Sequence, residues 1–409
     1  MCIVLLDIWS DQMYSSTMHI ERDLYKKITG QIAGKEAVII TGMRRTGKTT
    51  LLKYIMEKLP SSNKLFLDLQ NPVNQKLFSE TDYDKIRSSL EALGIAPKER
   101  GYVFMDEIQL VPELPQAVKY LADNFGIKFF LTGSASFYLK NLFSESLSGR
   151  KYLYELFPLN FAEFLRLKAV RISLPAEGVF SETVFNKLSV LYDEYVEYGG
   201  FPEVILEETP AGKKAKLGDI FTSYYQLEVL RLGDFRKNSV VRDLMILLAS
   251  RTGSKLEVSG LASDLGVSRI TINEYLSFME STYFIGLVRP YSRNKNSELK
   301  RMPKVYLADS GLANLLGSPE KGPLFENNVY QNLKLNGTVN YYEKKSGGEI
   351  DFILNGQKAY EVKSKPDARD AANLADLCKI LKISDFGIVS RSYSEELKAR
   401  IKIYYGFEV

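Results

Sequence analysis

Short apolar runs alternate with helical periodicities through the first part of the chain. Ala37–Thr41, Lys64–Leu69, Tyr102–Asp106 and Lys128–Thr132 are almost wholly apolar or aromatic, the pattern of strands buried on both faces of a parallel sheet. Helical patterns at Thr49–Leu59 and Leu114–Asn124 fall between them, so this part reads as βαβα. From about Asn160 to Ser250 the pattern is mostly helical, with aromatic interruptions and the turn Gly199-Gly200-Phe201-Pro202. Residues 251–318 read as two short helices around a tight Gly turn, then a basic loop between two apolar runs. Beyond Pro323 a helix precedes strands and a last α/β stretch. No apolar run approaches the roughly 18 residues that would span a bilayer, so no membrane partner is expected.

Length and composition narrow the chemistry. The 409 residues favour two to four domains, and 45% apolar, 25% charged and 12% aromatic content excludes wholesale disorder. A single histidine, His19, and two cysteines, Cys2 and Cys378, rule out zinc fingers, multi-His metal sites and most Ser-His-Asp or Cys-His arrangements. Any metal must therefore sit on carboxylates. The cysteines lie at opposite ends of the chain, with no disulfide framework, which fits a reducing, cytoplasmic location. The net charge of +4 does not announce a nucleic-acid binder in bulk, so local patches must carry that reading. Residues 1–17 read as a tail, with Met13 and Met18 as alternative starts.

Gly42-Met43-Arg44-Arg45-Thr46-Gly47-Lys48-Thr49 fits G-x-x-x-x-G-K-[ST] between a strand and a helix, the context that motif requires. Its glycines let backbone N–H groups curl around a β-phosphate, Lys48 bridges β- and γ-phosphates, and the Thr49 hydroxyl serves a Mg²⁺ shell at a helix N-terminus. Gly42, Arg44, Arg45, Thr46, Gly47, Lys48, Thr49 and Thr50 are thus the candidates for holding ATP. Asp106 ends the next buried strand and Glu107 follows it, the acidic pair of a Walker B motif. Asp106 would hold Mg²⁺ through water and Glu107 would polarise the attacking water. Ser134, after Thr132-Gly133, reads as a γ-phosphate sensor or as an ordinary turn residue. Arg150 reads as an arginine finger for a neighbouring subunit of a homo-oligomer or as a surface arginine.

Ser259–Leu265 and Arg269–Glu280, separated by Gly266-Val267-Ser268, have helix-turn-helix spacing, with Arg269, Thr271, Asn273, Glu274 and Ser277 facing outward. Two strands, Tyr283–Val288 and Lys304–Leu307, then flank a loop with Arg289, Arg293, Lys295, Lys300 and Arg301 against Glu298, a wing for phosphate contacts or a packing element. Farther on, Glu349–Leu354 and Lys358–Lys363 flank Asn355-Gly356-Gln357 and predict a hairpin. Centring its turn on Gly356 sets Asp351 opposite Glu361, with Lys363 on the same face. Facing acids repel unless a divalent cation lies between them, so Asp351 and Glu361 are candidate metal ligands, Lys363 a group that orients hydroxide, and Glu326 a third acid. A salt-bridged surface hairpin is the alternative.

With these motifs in view, the chain resembles the prokaryotic AAA-type (archaeal-ATPase-like) P-loop ATPases whose C-terminal domain of unknown function is related to PD-(D/E)XK nucleases. The resemblance rests on GMRRTGKTT, MDEIQ, TGSASF, LSGR followed by ELFPLNFAEFL, YGGFPE, the helix-turn-helix, and EIDFIL with YEVKSK. It implies nucleotide and Mg²⁺ at Lys48 and Thr49, Walker B at Asp106 and Glu107, and a nuclease signature at Glu326, Asp351, Glu361 and Lys363. The segment DARDAANLADL shows no place for the further Gln or basic residue many such nucleases carry. The expected architecture is α/β: tail 1–17; AAA-type P-loop core with a parallel sheet, 18–165; helical lid or connector, 166–235; winged helix-turn-helix, 236–320; restriction-endonuclease-like α/β domain, 321–409. The expected function is Mg²⁺-dependent ATP hydrolysis coupled to a module acting on DNA. The alternatives are a nucleotide-controlled switch whose C-terminal fold only binds DNA or protein, and a transcription regulator.

Overall fold

A computed structural model describes residues 20–134, 149–172, 174, 181–231, 233, 235, 237–292, 302–344 and 347–409. The expected tail, most of the basic wing loop and the segment after Ser134 lie outside the described residues.

A five-stranded parallel sheet has the order β2-β3-β4-β1-β5, built from β1 (Ala37–Thr41), β2 (Lys64–Asp68), β3 (Tyr102–Asp106), β4 (Lys128–Gly133) and β5 (Lys151–Glu155). The period of two explains why its central strands are apolar throughout. Ile39, Val103, Met105, Phe129 and Leu131 face helices Tyr83–Ala92 and Leu114–Phe125, while Val38, Ile40, Phe104 and Phe130 face helices Asp23–Thr29 and Lys48–Lys58. β5 is an addition to the expected strands. It is an edge strand with no fully buried residue, so it lacks the apolar run that marks the others.

The rest of the chain shares one continuous core, from Met43 and Leu159 through the connector helices to Phe407. Its sheet has seven strands in the order β12-β11-β10-β9-β8-β6-β7, comprising β6 (Ile285–Pro290), β7 (Lys304–Leu307), β8 (Val339–Glu343), β9 (Glu349–Leu354), β10 (Lys358–Lys363), β11 (Asp385–Ser390) and β12 (Lys402–Tyr405). The expected units 236–320 and 321–409 meet in this sheet, because β6 pairs with β7 on one side and with β8 on the other. A free hairpin edge leaves N–H and C=O groups unpaired, and β8 supplies their partners.

Helix Lys321–Leu333 is buried on nearly all sides although its sequence, LFENNVYQNL, is half polar. Each amide has a partner. Asn327 Oδ1 accepts from the Leu307 N–H at 2.8 Å, Asn328 Oδ1 from the Tyr192 hydroxyl at 2.7 Å, and Gln331 Oε1 from the Ser310 N–H at 3.0 Å. These bonds join the connector helix Glu182–Tyr198 to β7 and to the helix Ser310–Gly317 that follows it, and a satisfied buried network of this kind fixes one register.

Candidate functional site

The loop after β1 curls as its glycines require. Gly42 has φ 150°, and a Cβ there would collide with the Leu156 carbonyl, so only glycine fits. Lys48 is 6% exposed, and its ammonium donates to the Gly42 and Met43 carbonyls, both at 2.9 Å. Burial pushes its pKa down to about 8, against the opposing pull of Glu107, Glu228 and Asp106. Buried positive charge held only by carbonyl dipoles is suited to receive an anion.

The acidic pair closes on the loop from β3. Thr49 Oγ1 donates to Asp106 Oδ2 at 2.6 Å, and the Thr132 hydroxyl donates to the other carboxylate oxygen. A hydroxyl and a carboxylate oxygen this close form the donor set that Mg²⁺ takes beside phosphate oxygens. Glu107 stands in a left-handed conformation, φ 56°, which turns its side chain out of the strand direction. Its Oε1 lies 3.5 Å from Arg44, while Gln109 Nε2 donates to its Oε2 and lies 3.1 Å from Ser134 Oγ. Ser134 is 1% exposed and therefore joins the site through Gln109 and Glu107.

Of the candidate nucleotide residues, Lys48, Thr46 and Gly42 are buried in the loop, Thr49 and Thr50 lie exposed at the helix start, and Arg45 points outward to Glu203 at 2.9 Å. Arg150 is not brought to this site. It precedes β5 at the end of the sheet opposite the loop, pairs with Asp123 at 3.2 Å, and its carbonyl accepts from Ala37 at the start of β1. A five-residue strand separates the two ends by about 16 Å.

Three participants escaped the sequence reading. Gln109 lies within the quoted MDEIQ, but the sequence reading gave it no role. Arg22, 7% exposed, donates to the Thr46 carbonyl at 2.8 Å, to the Phe157 carbonyl at 2.8 Å and to Glu163 at 2.9 Å, bracing the phosphate loop from outside. Glu228, a lone acid in the apolar stretch YYQLEVL, accepts from Arg44 Nε at 2.8 Å. Nothing local marks Arg22 or Glu228.

The second cluster lies on the β9–β10 hairpin. Asn355 and Gly356 have φ 53° and 68°, the positive values a tight hairpin turn demands. The pairing of β9 with β10 runs from Leu354–Lys358 to Phe352–Tyr360, and Asp351 and Glu361 follow directly, near enough for the Asp351 charge to act on Glu361. Lys363 reaches Glu361 Oε1 at 2.7 Å, and Glu361 Oε2 is buried without a hydrogen-bond partner among the described residues. Burial and the nearby Asp351 push Glu361 up to about 8, against Lys363. Glu326 is likewise pushed up to about 7 by burial and Asp351, against Lys304.

Lys304, from β7, was not among the expected site residues. Its ammonium is 3.3 Å from Glu326 Oε1 and 3.6 Å from Asp351 Oδ1, and it also pairs with Glu349. Burial works to lower its pKa, but Glu326, Asp351 and Glu349 outweigh burial and raise it. Among the described residues no group of three or more His, Cys, Asp or Glu side chains is arranged to hold a metal ion. The carboxylates expected to ligate a cation are met by Lys304 and Lys363. No helix of the described residues is long and apolar enough to cross a membrane.

Comparisons with known proteins bear on part of the chain. Over 375 residues it is 27% identical to an uncharacterized protein of Methanocaldococcus jannaschii, covering 88% of this chain and 82% of that one. It is also 27% identical to an uncharacterized protein of Haemophilus influenzae, covering 79% and 80%. Among solved structures, the Aeropyrum pernix ORC1 protein in complex with DNA is 14% identical, with a TM-score of 0.31 and coverage of 73% and 93%. A DNA polymerase III gamma subunit-related protein of Thermotoga maritima is 17% identical, with a TM-score of 0.27 and coverage of 63% and 96%. Both likenesses are too distant to bear on function. Residues 189–321, spanning connector helices, helix-turn-helix segment and β6–β7 hairpin, match a domain of unknown function. Residues 34–165 match the AAA domain family, so the phosphate loop, Asp106 and Glu107 lie in an AAA-type P-loop ATPase domain.

Proposed function

We propose that the protein hydrolyses ATP with Mg²⁺ and uses the nucleotide cycle to move the connector and the units packed against it. The observation that carries this is the convergence on the loop after β1 of Lys48 and Thr49, at the head of helix Lys48–Lys58, with Asp106 and Glu107, at the end of β3. Lys48 and the loop N–H groups bind the phosphates, Thr49 and Asp106 hold the cation, and Glu107 takes the proton of the attacking water. Mg²⁺, when bound, supplies charge neutralisation at the phosphate oxygens. Ser134 and Gln109 orient Glu107. ATP hydrolysis measured on the full chain should be lost in Lys48→Ala and slowed by about 10²–10⁴-fold in Glu107→Gln. Unchanged rates in both variants overturn the proposal.

The DNA-directed part of the reading draws support from the helix-turn-helix. Ser268 caps helix Arg269–Ser281 through the Thr271 N–H at 3.1 Å, and Arg269, Asn273, Glu274 and Ser277 are exposed on it. Followed by the β6–β7 hairpin, this has the make-up of a winged helix, and phosphate contacts from Arg289 and the basic loop would position it.

A second reading, that the nuclease-like fold binds without cutting, is favoured by Lys304 among the acids. Plasmid incubated with Mn²⁺ and ATP distinguishes the two: nicking lost in Asp351→Ala supports cleavage, and intact plasmid supports the binding role.

A further inference from the structure

Glu228 stands in Tyr225–Leu230, a π-helical stretch that continues helix Pro210–Tyr224. Such widened turns cost regularity and concentrate at functional sites. Its side chain is 2% exposed, one oxygen accepts from Arg44 Nε, and the other is buried without a hydrogen-bond partner among the described residues. Arg44 is thus the counter-charge that makes burial of this carboxylate tolerable. Arg44 also belongs to the phosphate loop and reaches Glu107 at 3.5 Å.

Among the described residues, the charges that act most on Lys48 are one further cation, Arg44, and three carboxylates, Asp106, Glu107 and Glu228. A terminal phosphate adds negative charge to a site already richer in carboxylates than in cations. A planar guanidinium pairs with phosphate oxygens as well as with a carboxylate, so phosphate and Glu228 contend for the same group.

We infer that Glu228 competes with the terminal phosphate of a nucleoside triphosphate for Arg44, making the connector the element that distinguishes triphosphate from diphosphate. This rests on the ATP-site reading above. When Arg44 turns to the phosphate, Glu228 is left as a buried charge without its partner, and the connector relieves that cost by moving residues 225–230. Glu107 loses the same guanidinium and is released to face water, so recognition of the triphosphate and freeing of the base are one event. The displacement has a route onward. Tyr224, adjoining the π stretch, bonds Thr282 at 2.5 Å at the end of helix Arg269–Ser281 and stacks on Phe284 with centroids 5.0 Å apart. Glu228 is a positioning residue, acting through Arg44.

The test is binding of fluorescent ATP and ADP derivatives, with Mg²⁺, to the full chain. Glu228→Gln removes the charge and keeps the shape. It should tighten triphosphate binding by roughly tenfold and change diphosphate binding by less than about twofold. Arg44→Met should abolish the preference, and adding Glu228→Gln to it should change nothing further. An unaltered triphosphate-to-diphosphate ratio in Glu228→Gln overturns the inference, whereas wild-type protein that binds neither nucleotide overturns the ATP-site reading instead. Should Glu228→Gln fail to fold, hydrogen exchange at residues 224–231 of the wild type decides. Faster exchange with a non-hydrolysable triphosphate than with ADP supports the competition, and equal exchange refutes it.

Discussion

Two buried lysines face groups of carboxylates in this molecule, and their pKa values move in opposite directions. Lys48 is pushed down to about 8 by burial, because carbonyls rather than carboxylates touch its ammonium. Lys304 is pushed up, because Glu326, Asp351 and Glu349 surround it. At the first site the ammonium touches only carbonyls and makes no ion pair, so a phosphate can take that direct contact without displacing a carboxylate. The second has supplied its own cation, so a metal ion would have to displace a lysine. Acids and lysines at recognisable spacings thus produce an anion receptor in one place and a closed ionic cluster in the other.

The largest expected break of this contrast concerns stability. Lys304→Ala leaves Glu326 and Asp351 buried without their cation and should cost about 3–5 kcal/mol in urea unfolding. Lys48→Ala, without nucleotide, should leave the unfolding midpoint unchanged or raise it, since the fold disfavours its ammonium. Equal losses in the two variants would remove the distinction.

A second measurement sharpens it through pH. Lys48 titrates near 8 when folded and at its ordinary 10.5 when unfolded, so the folded state sheds the proton first. The nucleotide-free protein therefore gains stability from this group as pH rises through about 8 towards 10.5. Phosphate binding needs the ammonium, so ATP affinity should fall over that window by up to about tenfold per pH unit. Titrations at pH 7 and 9 check the sign, and affinity rising with pH would contradict it. Glu326 and Glu361 are raised by burial, so the folded state holds their protons more tightly. Stability that they contribute in acid is lost as pH rises from the ordinary carboxylate range through their folded values.

The smallest effect belongs to Arg150, whose pairing with Asp123 is half exposed. Arg150→Gln should change stability by less than about 1 kcal/mol. ATPase rate followed against protein concentration then tests the intersubunit role. A rate that rises with concentration in the wild type and stays flat in Arg150→Gln supports an arginine finger, and identical curves exclude one.

Much of both sites was legible because their parts are contiguous or set by a short-range period. The phosphate loop is eight successive residues, Asp106 and Glu107 end an apolar run, and Asn355-Gly356 places Asp351 against Glu361 by counting from the turn. β5 escaped notice because an edge strand half exposed to solvent lacks the apolar run of its neighbours. The helix beyond Pro323 was legible, but its burial was not, because the partners of its amides, Tyr192, Leu307 and Ser310, come from distant parts of the chain.

Sequence alone determined the parallel sheet, the phosphate loop, the acidic pair and the hairpin, since each depends on backbone preferences and periodicities acting over a few residues. Only the tertiary structure decided which charges meet. Arg44 finds Glu228 184 residues away, Arg22 finds Glu163 at 141, and Lys304 of one hairpin enters the acids of another. Coulomb energies depend on distance and burial in space, and no spacing along a chain carries them.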